Sequence, residues 1–376
     1  MAVFTNAKLF LPGKGFVPGG FRVEGGRFAD IYPAGESPAG ALNLQGARVI
    51  PGLVDIHTHG AAGADISDGD GEGLRRMAAH LAGRGVTSFA PTSMTLPYET
   101  LEAAFATAAE LYDNRPEGCA RVMGVHMEGP FFSEKKKGAQ NGAYLKEPDF
   151  EGFRKLYEGC GGLVRIVDLA PELEGAAAFT EKAKALCTVS VAHTDASYEE
   201  AKAVFEAGAS HLTHTFNAMP GIHHRKPGPI GAASERGDVA AELICDGLHV
   251  HPSAVRMAFR LFPGRICLIS DSLRCCGMPD GEYELGGQQV FLSGGVARLA
   301  DGTIAGAASD LYADMRNAVA FGIAREEAIL AATIRPAREI GRESEIGSIE
   351  TGKLADFVVC DEDLELRAVY IGGEKV

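Results

Sequence analysis

Short apolar runs alternate along most of the chain with segments whose apolar positions recur at helical spacing. The run 47–54 reads as a buried strand. Beyond it the pattern predicts a helix over 71–84, a strand over 86–90 and a helix over 97–111 opened by Pro97. A strand over 121–127, a helix near 149–157 and a strand over 163–168 follow. Next come a helix over 175–186 and a strand over 188–192. Ser197 and Glu200 have capping-box spacing and start a helix reaching 207. Further strands are predicted over 211–213, 241–245 and 266–269, with a helix from Pro252 to Phe262 and closing helices over 309–321 and 325–333. The alternating stretch 283–299, punctuated by glycine pairs, predicts a β-hairpin insertion. Both chain ends read differently: strand-like pieces over 3–9, 20–23 and 27–31, and again over 347–349, 355–360 and 366–370, separated by glycine-rich turns.

Repeated strand–helix units predict either a parallel barrel or a doubly wound sheet. A doubly wound nucleotide binder should carry Gly-x-Gly-x-x-Gly after its first strand, and that place holds Asp55-Ile56-His57-Thr58-His59-Gly60 instead. Polar residues follow many different strands: His57 and His59, Glu128, His193, His214 and Asp271. A (β/α)8 TIM-type barrel gathers its active site in that way, at the C-terminal strand ends. The expected fold is therefore α/β, a barrel over 50–342. Residues 1–49 and 343–376 are expected to pair into a small β-sandwich domain.

Successive strand residues alternate faces, so His57 and His59 project the same way and form half of a metal site. A lone histidine after an apolar strand is ordinarily a core residue, and a lone aspartate ordinarily caps a helix or turn. Four histidines and a glutamate in one topological position argue for metal, and in that setting Asp271 is the expected proton acceptor for an attacking water.

Composition removes other classes. The 46% hydrophobic fraction supports a substantial core, and the formal net charge of −14 opposes nucleic-acid binding, which needs a basic face. No stretch approaches the roughly 18 apolar residues of a membrane span. The first residues lack the regions of a signal peptide, and the eight cysteines are scattered, as expected of reduced thiols in a cytoplasmic enzyme.

Several motifs are more specific: His126-Met127-Glu128-Gly129-Pro130, Ala192-His193-Thr194-Asp195, His211-Leu212-Thr213-His214 with Phe216-Asn217-Ala218-Met219, and Asp246-Gly247-Leu248-His249-Val250. With Pro51-Gly52-Leu53-Val54-Asp55 and the C-terminal Gly352-Lys353-Leu354-Ala355-Asp356, the chain resembles the amidohydrolase superfamily and, within it, the N-acetylglucosamine-6-phosphate deacetylases. The resemblance implies a divalent metal held by Glu128, His193 and His214, with zinc the first candidate and iron, manganese or cobalt the alternatives. It implies Asp271 as catalytic acid and base. It also implies a pocket for a phosphorylated amino sugar lined by Ala139, Gln140, Asn217, Ala218, Arg225, Asp246, Gly247, Leu248, His249, Ile304, Ala305 and Gly306, in a homodimer. Some members lack the first His-x-His and keep one ion; retention of His57 and His59 here allows two. Some carry histidine where Gln140 stands, and an amide donates without titrating. Arg225, on an irregular loop beyond the His214 strand, is suited to bidentate phosphate recognition. Lys135–Lys137 reads as a solvated run, His80 as helix surface, and His126 and His211 as supports of the barrel. The alternatives are a deacetylase of an isomeric sugar phosphate, another amidohydrolase, or a non-catalytic scaffold.

Overall fold

The structure, a computed structural model, describes residues 1–35 and 40–376. Eight parallel strands form its centre: Leu53–Thr58, Val86–Pro91, Val125–Phe131, Val164–Leu169, Thr188–Val191, His211–Leu212, Ala240–Ile244 and Ile266–Ile269. The third through eighth pair consecutively, as do the first and second. Two parallel bridges close the ring, Thr92 to His126 and Thr58 to Ser272. The result is the expected (β/α)8 barrel. Its strands are buried on both faces, which is why they read as continuous apolar runs rather than alternations.

Side-chain caps set the starts of several surrounding helices. Asp70 accepts from the N–H groups of Glu72 and Gly73 at the head of Gly71–Gly83. Ser197 and Glu200 form the capping box of Tyr198–Ala207. Pro97 lies one residue ahead of Tyr98–Asp113, at the N-cap rather than inside the first turn. The main core lies between these helices and the outer strand faces, with Leu74, Phe105, Phe153 and Phe205 among its fully buried members. A smaller cluster joins Val54, Ile166, Ile244 and Ile269 to Ala337 and Ile340, around the short helix Ile334–Glu339. That helix and Gly228–Ser234 are too short to show a period in the sequence.

Both chain ends enter one eight-stranded sheet, in which Phe357–Cys360 pairs with Arg48–Pro51 and the latter with Ala2–Leu11. Phe21, on Gly15–Glu24, lies three strands away from Phe357, which is roughly 14 Å in a flat sheet. Their ring centroids are nevertheless 4.9 Å apart. The sheet therefore folds over on itself around Phe4, Phe21, Phe28 and Phe357, giving a sandwich-like core from a single sheet.

The insertion is larger than the expected hairpin. Gly281–Leu285, Gln288–Ser293, Val296–Leu299 and Ile304–Ala307 form a four-stranded antiparallel meander. Asp301 accepts from the Thr303 N–H at 2.9 Å in the turn that adds the last strand. A parallel bridge from Ala307 to Ser272 returns the chain to the barrel, carrying residues 303–306 to its mouth.

Candidate metal centre and active site

The barrel strands deliver their polar ends to one place. His57 comes from the first strand and Glu128 from the third; His59 lies one residue beyond the first strand, and His193, His214 and Asp271 each lie two residues beyond theirs. These last three adopt left-handed backbone, with φ of 41°, 27° and 49°. Such a conformation costs a non-glycine residue on the order of 1–3 kcal/mol, and it gathers where function over-determines the backbone.

Glu128 Oε1 lies 3.0 Å from His193 Nε2 and 3.1 Å from His214 Nε2, and the two nitrogens are 3.1 Å apart. His59 Nε2 lies 3.4 Å from Glu128 Oε2 and 3.3 Å from Asp271 Oδ1. His57 Nε2 is 3.5 Å from Asp271 Oδ1 and 3.7 Å from Glu128 Oε1.

The far nitrogens decide what these atoms are. His59 Nδ1 donates to the Thr92 carbonyl at 3.0 Å, His193 Nδ1 to the Lys136 carbonyl at 2.9 Å, and His57 Nδ1 to Glu242 Oε2 at 2.9 Å. A neutral imidazole that donates through Nδ1 has a lone pair on Nε2. Three lone pairs and two carboxylates therefore face one another in a buried space, and His57 Nε2 has no hydrogen-bond partner at all. Acceptors gathered in this way repel unless a cation lies among them. The donor set of imidazole nitrogen and carboxylate oxygen suits a divalent transition ion. His57, His59 and Glu128 form one group able to hold an ion, and Glu128, His193 and His214 another.

Where no cation lies among these atoms, protons take its place and the same field holds them there. Burial pushes the His59 imidazole down, but the Asp271 hydrogen bond and the Glu128 charge raise it to about 9. Burial likewise opposes the rise of His214, which the Glu128 contact lifts to about 9. Burial works to raise the Asp271 carboxyl, and His57 and His59 outweigh it, holding it at about 2.

A third group, His57, His126 and Glu242, lies deeper in the barrel. His126 donates through both nitrogens, to the Ile56 carbonyl at 2.9 Å and to Asp168 Oδ1 at 3.0 Å. Burial lowers its pKa, but the Asp168 carboxylate overrides this and raises it to about 10. With both nitrogens committed to protein acceptors, neither is left to face an ion, so His126 supports the barrel. His211, hydrogen-bonded to Ser190 Oγ at 3.0 Å, belongs to the same interior network. Glu242 and Asp168 went unread in the sequence, although a charged residue inside Ala240–Ile244 or Val164–Leu169 is a signal of its own.

Above the centre lies a cavity of about 320 Å³, within the roughly 300–1,000 Å³ usual for small-molecule sites. His59, Glu128, His193, His214 and Asp271 form its floor, and Ala139, Gln140, Asn217, Ala218, His249, Ile304, Ala305 and Gly306 also line it. Met94, Gly138 and Thr303 also line it and were not foreseen. Four expected residues are not in its lining. Asp246 instead braces His249, accepting from its Nδ1 at 2.6 Å. Gly247 and the exposed Leu248 form the turn between them. Arg225 stands exposed on the 217–228 loop, its guanidinium 2.8 Å from His224 Nε2, beside a separate crevice with Tyr198 and Lys226. His223 and His224 are exposed with it, His80 is half-buried on its helix, and His251 caps the helix Pro252–Leu261. All eight cysteines are unpaired. No helix among the described residues is long and apolar enough to cross a membrane.

Residues 48–376 match the model of the amidohydrolase family. An N-acetylgalactosamine-6-phosphate deacetylase of Escherichia coli O157:H7 is 36% identical over 94% of this chain and 93% of its own length. An N-acetylglucosamine-6-phosphate deacetylase of Vibrio furnissii is 36% identical over 91% of this chain and 86% of its own. Among solved structures, a variant of the Mycobacterium smegmatis N-acetyl-D-glucosamine-6-phosphate deacetylase in complex with N-acetyl-D-glucosamine-6-phosphate superposes with a TM-score of 0.93. That pair shares 33% identity and covers 100% of this chain and 98% of the other.

Proposed function

The chain belongs to the amidohydrolase family and, within it, to the deacetylases of N-acetyl amino-sugar 6-phosphates, and on that premise we propose that it hydrolyses the acetamide of N-acetylglucosamine 6-phosphate to acetate and glucosamine 6-phosphate. The observation that carries this reading is the meeting of Glu128, His193 and His214 with Asp271 on the floor of one small-molecule cavity. Glu128, His193 and His214 would hold the principal ion, zinc by preference for such donors, and His57 and His59 would hold a second. An ion held there supplies Lewis acidity, polarising a carbonyl and making water a nucleophile near neutral pH.

This chain's own groups do the rest. Asp271 enters the reaction ionised and takes a proton from the attacking water as its oxygen bonds to the acetyl carbon. As the C–N bond breaks, Asp271 returns that proton to the departing amine, so one carboxylate serves both halves. Asn217 and His249, which line the cavity, would face the sugar, and the second N–H of Gln140 would donate to the acetyl oxygen.

The phosphate needs positive charge, and no lysine or arginine is among the described residues lining this cavity. In a homodimer the exposed loop of one copy supplies Arg225 to the cavity of the other. The similarity to the E. coli enzyme supports a second reading, the epimeric N-acetylgalactosamine 6-phosphate. For either sugar the setting we propose is cytoplasmic.

Acetate release from both 6-phosphates and from unphosphorylated N-acetylglucosamine tests this. A parent protein without preference for phosphorylated sugars would overturn the reading, and the ratio of the two kcat/KM values decides the epimer. Arg225→Ala should lower kcat/KM for the 6-phosphate by about 30-fold or more, since truncating one partner of a hydrogen-bonded charge pair costs on the order of 2–5 kcal/mol. Activity on the unphosphorylated sugar should stay level. Equal loss on both would leave Arg225 a support of its loop.

A further inference from the structure

Gln140 lies in the loop beyond the third barrel strand, 2% exposed, and both ends of its amide are engaged. The Thr95 N–H donates to Oε1 at 2.7 Å. A backbone N–H is a donor only, so the oxygen must lie on that side and the nitrogen on the other, where Nε2 donates to Glu128 Oε2 at 2.6 Å. The orientation of the amide is thus set by a residue outside the metal centre. The loop itself is tied down twice: the Gln140 N–H donates to the Lys137 carbonyl at 2.9 Å, and the Gln288 side chain donates to the Ala139 carbonyl from the meander.

Glu128 consequently has two unlike oxygens. Oε1 faces His193 and His214 at 3.0 and 3.1 Å. Oε2 is taken by Gln140, with His59 Nε2 farther off at 3.4 Å. A carboxylate held by one charge-assisted bond on Oε2 cannot rotate about its Cγ–Cδ bond without breaking it.

We propose that Gln140 is a positioning residue for the metal centre: by clamping Glu128 Oε2 it presents Oε1 alone to the ion shared with His193 and His214. The meander then joins the centre indirectly, through Gln288 and the Ala139–Gln140 segment. This builds on the metal-holding role given to Glu128 above and not on the identity of the sugar.

The test is ion affinity in the absence of substrate, by zinc competition against a chromophoric chelator. Two variants are compared with the parent: Gln140→Leu, which has no donor, and Gln140→Asn, whose shorter arm cannot span Thr95 and Glu128 together. Hydrogen-bonding groups behind metal ligands typically contribute 10–100-fold to affinity, so both variants should bind zinc at least about 10-fold more weakly. The visible absorption of the cobalt-loaded variants should change with the altered carboxylate, which a mere packing defect would not cause. Circular dichroism checks that the metal-free variants are folded; should Gln140→Leu, which leaves the Thr95 N–H without its acceptor, fail to fold, Gln140→Asn alone decides. Zinc affinity within threefold of the parent overturns the proposal. So does a loss of turnover at unchanged affinity, which would place Gln140 on the substrate alone. A parent that binds zinc but releases acetate from no sugar phosphate would sink the proposed activity and leave this inference standing.

Discussion

Glu128→Ala should abolish both bound metal and turnover while the barrel stays folded. Glu128 Oε1 is the atom on which His193 Nε2 and His214 Nε2 converge, and the nearly buried carboxylate is the negative charge that would offset a cation on the cavity floor. Burial opposes its ionisation, yet the His193 and His214 hydrogen bonds hold its pKa well below the ordinary carboxylate value. Removing it leaves the His193 and His214 nitrogens facing one another without the carboxylate on which they converge. Losing a direct ligand should exceed the 10–100-fold typical of an outer partner, and turnover should fall below about 1% of the parent, a barrier increase of roughly 2.7 kcal/mol or more. Elemental analysis after dialysis, with circular dichroism as the folding control, checks this. A variant that retained a full complement of metal and its normal rate would remove Glu128 from the centre. His57→Ala with His59→Ala should be milder for the principal ion, because neither approaches the Glu128 carboxylate as closely as His193 and His214 do. If the parent holds one ion per chain rather than two, the His57–His59 position is not a second metal site.

Asp271→Asn separates chemistry from metal. The substitution keeps shape and removes the base, so the principal ion should stay bound by Glu128, His193 and His214. General acid–base groups contribute typically 10²–10⁴-fold, and Asp271 is asked to act in both proton transfers, so kcat should fall by about 10² or more. KM should change little, since Asp271 lies on the floor with the histidines and apart from the groups that would face the sugar. Single-turnover rates measured beside metal content decide the matter. A rate within a few-fold of the parent would assign the proton transfers to another group. Taken with Glu128→Ala, the pair distinguishes a centre that fails as a unit from one whose base alone is missing.

The sequence determined the barrel and the identity of the polar groups that meet at its mouth. Fully buried parallel strands need continuous apolar runs, and a polar residue at the end of each run stands out against them; His57, Glu128, His193, His214 and Asp271 were all visible in this way. The caps at Ser197 and the prolines marking helix starts were equally local, since each acts within a turn of its own backbone. What depends on groups distant in the chain was decided only by the tertiary structure. Which imidazole nitrogen faces the centre is set by Thr92, Lys136 and Glu242, and no spacing along the chain encodes those contacts. The meander's fourth strand exists because Asp301 turns the chain and Ala307 finds Ser272, a pairing with a partner outside the segment. The same holds for the exposed Arg225, for Asp246 behind His249, and for the Gln140 amide pinned between Thr95 and Glu128. A residue's type announces what chemistry it is capable of, but hydrogen bonds are short and directional, and only the folded chain decides which partner is within their reach.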